Sequence, residues 1–507
     1  ALAQPFANAA ASLSDYTKGV TSPAQSCAAI AQVTLPDVVR ISSRMIAAEG
    51  EVPAHCRVDG MIAPEIVFQV NLPSSWNNRF YMVGNGGHAG QQPDDQGANR
   101  SAALMRHFVM AATDTGHNGA NEPGATFVLS NPQKAVDYAY RAVHLTAVTA
   151  KEIARLYYGQ PAAYSYWNSC SNGGRQGMIQ AQRYPDDFDG IVATAPWVDQ
   201  TGFTIGALWN QQALANANIT AGKLQVLATA VMQKCDAIDG LADGLIDDPR
   251  ACTINVAADV PACPAGNNAD SCLTPAQAAA VQKVYDGPRN SQGKQLAPPF
   301  MPGSEQVVTG FNGTASSSWM GLIVPPAPGE TSADFGLAEN TMRYLVFNPP
   351  RPDYDYRDFD FDRDPGLLDY WSRLADALDT DLSSLRASGG KVIMTYGWAD
   401  SILQPGMGVD YYEQAVAAND NAEDFIRLFM IPGMTHCAGG LGPDQHDAVT
   451  AVIDWVENNK APELMVARKL VNGETTRSRP LCPYPQVARY TGQGSIDAAE
   501  NFQCVAP

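Results

Sequence analysis

The sequence has no apolar run of about eighteen residues, the length that a helix needs to cross a bilayer. Basic residues are also scarce, because 33 Lys and Arg stand against 52 Asp and Glu and give a formal charge of -19. A surface with this charge repels a phosphate backbone instead of releasing its counterions. We therefore expect neither a membrane nor a nucleic acid among the partners of this protein.

The cysteines do not form the CxxC pairs that are typical of a zinc site. There are ten of them, and this even number predicts disulfide bonds made in an oxidising compartment. The chain begins ALAQPFANAA, with no basic and no apolar signal region, as a mature chain does after signal removal. We expect a secreted or periplasmic protein, present as a monomer or a homodimer.

Short apolar runs that stop at turns predict buried strands. They are RFYMV (79–83), HFVMAATDTG (107–116), AYSYWNS (163–169), GIVATAP (190–196), KVIMTYG (391–397) and RLFMIPG (427–433). Apolar residues recur at helical spacing over 131–158. Strands that alternate with helices predict the α/β class, with a mainly parallel sheet and helices on both faces.

This alternation stops between about residues 201 and 384, where prolines and aspartates become frequent, as in PPRPDYDYRDFDFDRD. We interpret 201–384 as an inserted lid domain between the N-terminal part (1–200) and the C-terminal part (385–507) of the α/β core. The segment looks too polar to be held by burial alone. We expect two local disulfides and a bound cation to provide much of its stability.

The stretch WNSCSNGGRQG (167–177) follows a predicted strand and precedes a helical segment. Enzymes of the α/β-hydrolase type place their nucleophile on such a turn, usually within GxSxG, because small neighbours expose the hydroxyl. Here glycine is kept two residues after Ser171, whereas Ser169 stands two residues before it. Ser171 is therefore a candidate nucleophile, and a glycine-rich turn without a catalytic role is the alternative.

The other members of such a triad follow in the order acid, then histidine, each just after a later strand. Asp400 follows KVIMTYG, and His436 follows RLFMIPG, in a chain that has only seven histidines. The alternatives are a helix-capping or turn aspartate and a surface-loop histidine. Order and position together favour catalysis for both residues.

These elements resemble the tannase and feruloyl esterase family of secreted α/β-hydrolases, which includes mono(hydroxyethyl) terephthalate hydrolases. The resemblance rests on Cys170-Ser171-x-Gly173-Gly174-Arg175-Gln176, on PDDFDGIVATAPW, on Tyr396-Gly397-x-x-Asp400 and on His436-Cys437. It implies an α/β-hydrolase core with a large inserted lid domain. It further implies Ser171 as nucleophile, His436 as general base, Asp400 as its orienting acid, and a disulfide between Cys170 and Cys437. Ser169 departs from the family pattern, which commonly has glycine there.

An oxyanion hole needs one backbone amide from the residue after the nucleophile and one from an early glycine loop. Asn172 is expected to supply the first amide. The loop Gly84-Asn85-Gly86-Gly87 should supply the second, with Gly87 favoured over Gly86.

The run CDAIDGLADGLIDDP (235–249) sets aspartates among glycines, which suits a hard cation but does not have EF-hand spacing. A solvated acidic loop is the alternative. The family resemblance implies a structural calcium ion here, and no organic cofactor. Its ligands would be Asp236, Asp239 and Asp243, with the carbonyls of Leu241 and Leu245.

The remaining cysteines are expected to pair with neighbours in sequence. The predicted pairs are Cys27 with Cys56, Cys235 with Cys252, Cys263 with Cys272, and Cys482 with Cys504.

The function that these features favour is a secreted serine carboxylesterase that cleaves esters of hydroxycinnamic, gallic or related benzoic acids through an acyl-enzyme. A terephthalate monoester hydrolase is the alternative within the family. A serine peptidase is one further alternative, and a non-catalytic binding protein or calcium-stabilised structural protein with this fold is another. Leu403, Trp319, Arg343 and Phe311 are candidates for the pocket that holds the aromatic substrate.

Overall fold

A computed structural model describes residues 4–309, 315–327 and 329–507 of the protein. A large central sheet contains β1 (Val38–Ile46), β2 (His55–Ile62), β3 (Ile66–Pro73), β4 (Arg79–Met82), β5 (Val109–Thr113), β6 (Tyr164–Cys170), β7 (Gly190–Thr194), β10 (Lys391–Gly397) and β11 (Ile426–Ile431). Small two-stranded sheets pair β8 (Val307–Thr309) with β9 (Ala315–Ser317), β12 (Met465–Val471) with β13 (Glu474–Leu481), and β14 (Val487–Tyr490) with β15 (Phe502–Val505).

The central sheet has nine strands in the order β1-β2-β3-β5-β4-β6-β7-β10-β11. From β5 to β11 all neighbouring strands are parallel. The three strands at the other end, β1 to β3, are antiparallel, and β3 also pairs antiparallel with β5. Every residue of β5 and of β7 is buried, as expected for parallel strands covered on both faces.

The helices connect these strands and cover both faces of the sheet. They are α1 (Cys27–Ile30), α2 (Gly97–Leu104), α3 (Phe127–Ser130), α4 (Gln133–Val136), α5 (Ala142–Tyr158), α6 (Asn172–Arg183), α7 (Gln200–Leu214), α8 (Ala221–Cys235), α9 (Val256–Asp259), α10 (Pro275–Asp286), α11 (Ala333–Asn340), α12 (Asp369–Ala375), α13 (Ser383–Ser388), α14 (Pro405–Ala418) and α15 (Ala448–Asn458). Two π-helical turns, Asp137–Arg141 and Thr341–Val346, join α4 to α5 and extend α11. No helix of the described ranges is long and apolar enough to span a bilayer.

The sequence-based prediction of an α/β fold with a mainly parallel sheet is confirmed. All six predicted strands occur, as β4, β5, β6, β7, β10 and β11. The antiparallel strands β1 to β3 were not predicted. Most residues of β1 are exposed or half-buried, so that its side chains give only a weak apolar signal.

The chain leaves the sheet after β7 and returns in β10, which pairs directly with β7. We call residues 201–384, between these two strands, the insertion. It has an apolar cluster of its own, which includes Leu224, Val231, Val281 and Trp319. Burial therefore contributes to the stability of this segment, and the expectation that its two disulfides and a bound cation provide much of the remainder stays a prediction.

A second apolar cluster joins the insertion to the core of the protein. In it, Phe335 and Trp371 of the insertion belong to the same set of buried side chains as Phe127 and Tyr138. The rings of Tyr138 and Trp371 are stacked, with 6.0 Å between their centroids. The insertion is thus packed against the region that leads into the nucleophile turn.

Candidate active site

Ser171 lies on the turn between β6 and α6, with φ 63° and ψ -128°. A positive φ is uncommon for a residue with a side chain, and catalytic serines on strand-to-helix turns show this strain. The Ser171 amide donates to the carbonyl of Thr194 at 3.0 Å. The Ser171 carbonyl accepts hydrogen bonds from the amides of Arg175 and Trp197, at 3.0 and 3.1 Å. These contacts fix the backbone that presents the hydroxyl.

Ser169 occupies the position where the family pattern has glycine, and the turn accommodates it through a neighbouring glycine. A Cβ atom on Gly173 would overlap the Ser169 side chain. A Cβ atom on Gly174 would lie 2.8 Å from both the carbonyl oxygen of Thr194 and the Cα atom of Pro196. The two glycines therefore allow α6 to approach the strand and the turn closely, with a serine at position 169.

Asp400 and His436 follow β10 and β11, and their side chains meet. The Nδ1 atom of His436 lies 2.8 Å from Oδ2 of Asp400. The other carboxylate oxygen of Asp400 accepts hydrogen bonds from the amides of Ile402 and Leu403, both at 2.9 Å. Asp400 is completely buried, whereas the His436 side chain is 14% exposed. This arrangement fixes the orientation of the imidazole and leaves its Nε2 atom for a second partner.

A disulfide links Cys170, next to Ser171, with Cys437, next to His436. The two Cα atoms are 6.0 Å apart, across 267 positions of sequence. Nitrogen and sulfur atoms of Cys170, His436 and Cys437 lie within 4.8 Å of one another. Because both sulfurs are in the disulfide, this cluster is not a metal site. The disulfide holds the two loops that carry the serine and the histidine together.

The glycine loop 84–87 lies against the start of α6. The Asn172 side chain donates to the carbonyl of Asn85 at 3.2 Å. Tyr138 lies between the two segments, with its hydroxyl 3.3 Å from both the Gly87 carbonyl and the Asn172 side chain. Gly87 has φ 55°, a conformation that favours glycine. The loop with Gly86 and Gly87, predicted for the oxyanion hole, thus lies close to Asn172. Asn172 stands in the first turn of α6, where backbone amides have no intrahelical acceptor.

The structure explains why arginine and glutamine follow the two glycines. The buried Arg175 guanidinium donates to the Asn172 side chain at 2.7 Å and to the carbonyls of Tyr138, Ala139 and Ala375 at 2.7 to 3.2 Å. Because Ala375 ends α12 of the insertion, the Arg175 guanidinium connects α6, the helix after Ser171, with the insertion. Gln176 accepts a hydrogen bond from the Asn85 amide at 3.0 Å. Both side chains support the position of the loops around Ser171.

Ser171 and His436 line one cavity of about 470 Å³. Its lining includes Trp197, Leu337 of the insertion, Ile402 and the predicted pocket residue Leu403. It also includes Pro5, Val192, His446 and Val449. The mainly apolar lining can hold an aromatic or aliphatic group.

Two other residues that were candidates for this pocket lie elsewhere. Trp319 is completely buried in the apolar cluster of the insertion, and its indole donates to the Ser304 hydroxyl at 2.9 Å. Arg343 pairs with Glu339 at 2.8 Å and donates to the Tyr354 carbonyl at 3.1 Å. Neither is part of the cavity wall. The other candidate, Phe311, lies outside the described residues.

The sequence reasoning missed Trp197, Leu337 and His446 in the cavity wall. Trp197 ends the motif PDDFDGIVATAPW, so its place after β7 could have indicated it. His446 lies ten residues after His436, in a loop that shows no helical or strand periodicity. Nothing in the sequence alone connects it with Ser171.

A further carboxyl group lies near Asp400. Asp334, in the first turn of α11, is 4% exposed, and its oxygens have no hydrogen-bond partner within the described residues. Burial, together with the charge of Asp400, raises the pKa of Asp334 well above its ordinary value. Asp334 therefore binds its proton more tightly than an exposed aspartate does.

In the aspartate loop, each of the three predicted carboxylates accepts hydrogen bonds from backbone amides of the same loop. Asp236 accepts from the amides of Asp243 and Gly244, at 3.1 and 2.9 Å. Asp239 accepts from Leu241 at 2.8 Å, and Asp243 accepts from Leu245 at 3.1 Å. Cys235 and Cys252 are joined by a disulfide across this loop.

Two further residues, which the sequence reasoning missed, contact these carboxylates. The guanidinium of Arg479, on β13, pairs with Asp243. Asp247 lies beside Asp239, and burial, with the charge of Asp239 added, raises the pKa of Asp247 well above its ordinary value. Burial likewise raises the pKa of Asp239. Carboxylate oxygens suit a hard divalent cation such as calcium, but among the described residues those of this loop do not form one cluster of metal-ligating atoms, and Asp243 is paired with Arg479 instead.

The other predicted disulfide partners are also joined. Cys27 is bonded to Cys56, Cys263 to Cys272, and Cys482 to Cys504. Within the described chain, no cysteine is free.

Serine, aspartate and histidine occur in this order along the chain, and this order separates the α/β-hydrolases from other enzymes with the same three residues. Fold and site together therefore point to a serine hydrolase of the α/β-hydrolase class. The model of the family described as tannase and feruloyl esterase matches residues 50–505. The chain belongs to this family and is a carboxylic ester hydrolase.

Several proteins are similar to this chain over most of their length. The mono(2-hydroxyethyl) terephthalate hydrolase of Piscinibacter sakaiensis is 34% identical, over 91% of this chain and 86% of its own. A probable feruloyl esterase of Arthroderma benhamiae is 31% identical, over 85% and 81%. The crystal structure of feruloyl esterase B from Aspergillus oryzae superimposes with a TM-score of 0.78 at 26% identity, covering 95% of this chain and 100% of that one.

Proposed function

We propose that the protein hydrolyses esters of aromatic acids through an acyl-enzyme formed on Ser171. The observation that supports this most is the cavity of about 470 Å³, which Ser171 and His436 line together. His436 is held by Asp400 at 2.8 Å, and Ser171 stands on a turn with positive φ. A serine and an oriented histidine at one cavity are the minimum that acyl transfer requires.

In the proposed reaction, His436 Nε2 accepts the Ser171 hydroxyl proton while the serine oxygen attacks the ester carbonyl carbon. The backbone amides of Asn172 and Gly87 stabilise the oxyanion of the tetrahedral intermediate. Its collapse breaks the bond to the alcohol, which leaves with the proton from His436. A water molecule then repeats the attack on the acyl-enzyme, with His436 again as base, and releases the acid and free Ser171.

The walls of the cavity favour a neutral aromatic ester over a terephthalate monoester. Trp197, Leu337 and Leu403 contribute apolar surface to the cavity. Among the described residues that line the cavity there is no lysine or arginine. A free carboxylate on the substrate would therefore be desolvated without a cationic partner, which is unfavourable.

A panel of esters tests this proposal: methyl ferulate, methyl caffeate, methyl gallate and mono(2-hydroxyethyl) terephthalate. We expect kcat/KM for at least one of the first three to exceed that of the terephthalate ester by about tenfold or more. The reverse order would favour the terephthalate monoester hydrolase. Ser171→Ala should lower kcat about 10⁴-fold or more and abolish the acyl-enzyme in mass spectra. The exposed Ser291→Ala is the control, and an active Ser171→Ala enzyme would contradict the mechanism.

We also propose that the aspartate loop holds a structural calcium ion through the carboxylates of Asp236, Asp239 and Asp243 and the carbonyls of Leu241 and Leu245. A calcium ion supplies positive charge, which would offset the repulsion between the buried carboxyl groups there. No step of the ester chemistry described above involves this loop.

Two further parts of the proposal concern the insertion and the location of the protein. Leu337 supports a role of the insertion as a lid, because this residue forms part of the cavity wall. The five disulfides support secretion or a periplasmic location, since disulfides persist in oxidising compartments. Recovery of the native protein, in its oxidised form, from the cytoplasm alone would contradict that location.

A further inference from the structure

The lining of the active-site cavity contains a second histidine, His446. It is the residue before Asp447, which caps the N-terminus of α15. The Asp447 carboxylate accepts hydrogen bonds from the amides of Phe6, Asn8 and Thr450, at 2.7 to 3.2 Å. The backbone that carries His446 is thus fixed by both the helix and the N-terminal segment.

His446 is buried, with 5% of its surface exposed, although it lines the cavity. Neither of its ring nitrogens has a hydrogen-bond partner among the described residues. Leaving both atoms unpaired in a buried position is costly, so a group in the cavity that pairs with them would be stabilised.

The protonation state of His446 limits which group this can be. Burial lowers the pKa of His446 to about 4, so the ring is neutral near pH 7 and offers one donor and one acceptor. The neighbouring Asp447 also lines the cavity, and no lysine or arginine is among the described lining residues. A substrate carboxylate would therefore face another acidic side chain without a cation, whereas a hydroxyl group can both donate to and accept from a neutral imidazole.

We propose that His446 forms a hydrogen bond with a neutral hydroxyl group of the ester substrate and so determines specificity for hydroxylated esters. This inference rests on the proposed ester hydrolysis at Ser171. The hydroxyl can belong to the ring of the aromatic acid or to the alcohol part of the ester. Both parts extend from the ester group at Ser171 into the same cavity.

Two pairs of esters distinguish these sources. Methyl 4-hydroxycinnamate and methyl cinnamate differ by a ring hydroxyl, and 2-hydroxyethyl benzoate and ethyl benzoate differ by a hydroxyl in the alcohol. The measurement, for each pair, is kcat/KM of the hydroxylated ester divided by kcat/KM of the ester without the hydroxyl. In His446→Phe, we expect the ratio for one of the pairs to fall about tenfold, because the hydroxyl loses its partner. His446→Gln, which keeps a donor and an acceptor, should restore part of the ratio.

His117 provides a matched control. It is also buried and its nitrogens are also unpaired within the described residues, but it stacks on Phe127 with 4.1 Å between the ring centroids and is not part of the cavity wall. His117→Phe should therefore leave both ratios as in the wild type. Unchanged ratios in His446→Phe, or an equal fall in His117→Phe, would overturn the proposal.

Calorimetry separates a failure of this proposal from a failure of the proposed function. The experiment measures the affinity of each of the four esters for Ser171→Ala and for the double variant Ser171→Ala/His446→Phe. If the wild type cleaves none of these esters, the function proposal fails. A hydroxylated ester that binds the double variant about tenfold more weakly would still support the role of His446. Equal affinities, or no binding of any ester, would overturn it.

Discussion

Two buried carboxyl groups near the active-site cavity, one after a sheet strand and one in the insertion, have different surroundings. Asp400, after β10, accepts hydrogen bonds from His436 and from the amides of Ile402 and Leu403. Asp334, in α11, has no hydrogen-bond partner within the described residues, and burial raises its pKa. On the sheet side three hydrogen bonds hold the carboxylate in one orientation, whereas on the insertion side the carboxyl group has no such partner and binds its proton more tightly.

The same contrast applies to the cross-links. The disulfide at the ends of the sheet strands joins Cys170 to Cys437, which are 267 positions apart. Those of the insertion close short loops, with separations of 17 and 9 residues. The long-range bond thus holds the loops of the serine and the histidine together, whereas the bonds of the insertion, like Cys27–Cys56 and Cys482–Cys504 outside it, stabilise local segments. The following predictions test this difference.

The largest effect is expected for Asp400→Asn. An amide at this position changes the tautomer and the orientation of His436, so kcat should fall on the order of 10⁴-fold while the protein stays folded. Asp334→Asn is the matched control, since it changes a nearby buried carboxyl group that does not contact His436, and its loss should be far smaller. Equal losses of kcat in the two variants would contradict the contrast between the two sides.

The next effect concerns the long-range disulfide. Replacing Cys170 and Cys437 by serine should lower kcat/KM about 100-fold, because the general base is displaced from Ser171. In the chain-entropy model it also removes about 5 kcal/mol of stability. The Cys263→Ser/Cys272→Ser variant should lower the melting temperature with little change in kcat/KM at a temperature where it is folded. A similar loss of kcat/KM in both variants would show that the contrast is wrong.

A pH-dependent loss of stability is expected from Glu305 in the insertion. Burial raises the pKa of Glu305 from its ordinary value of 4.5 to about 7. The folded protein holds this proton more tightly than the unfolded chain, so the contribution to stability is full below pH 4.5 and is lost as the pH rises towards 7. In Glu305→Gln, the fall in unfolding free energy between pH 4 and pH 8 should be about 3 kcal/mol smaller.

The exposed Glu330→Gln is the control for this experiment and should keep the wild-type dependence on pH. The measurement is denaturant unfolding at each pH. If Glu305→Gln and the wild type lost the same free energy between pH 4 and pH 8, the buried carboxyl group would not be the source of the loss.

The smallest effect is expected for removal of calcium. Chelation with EGTA should lower the free energy of unfolding by about 2.7 kcal/mol when calcium was present at a hundredfold excess over its Kd. Asp239→Asn should be less stable and respond weakly to EGTA, whereas the exposed Asp353→Asn should respond as the wild type does. No change of melting temperature with EGTA in the wild type would leave a solvated acidic loop as the explanation.

The parts of the molecule that follow strict periodicity could be predicted from the sequence. Parallel strands such as β7 and β10 are short apolar runs that end at turns, and this pattern also locates Ser171, Asp400 and His436 just after strands. Whether these three side chains meet depends on the order of the strands in the sheet, and the α/β fold largely determines that order.

Several residues of the insertion, and His446 in the cavity lining, could not be predicted in the same way. Trp319 is aromatic and follows no periodic pattern, so the sequence could not separate a pocket residue from a core residue. His446, Asp334 and Asp247 acquire their properties from burial and from neighbours distant in sequence. Such long-range proximity is decided by tertiary packing, which local patterns do not report.

The bond between Cys170 and Cys437 has a topological consequence for proteolysis. The insertion lies entirely within the covalent ring that this bond closes. A protease that cuts once at any point between residues 171 and 436 produces two chains that remain one molecule. The nicked enzyme would keep both its serine and its histidine on tethered pieces, and electrophoresis would reveal the cut only after a reductant has opened the ring.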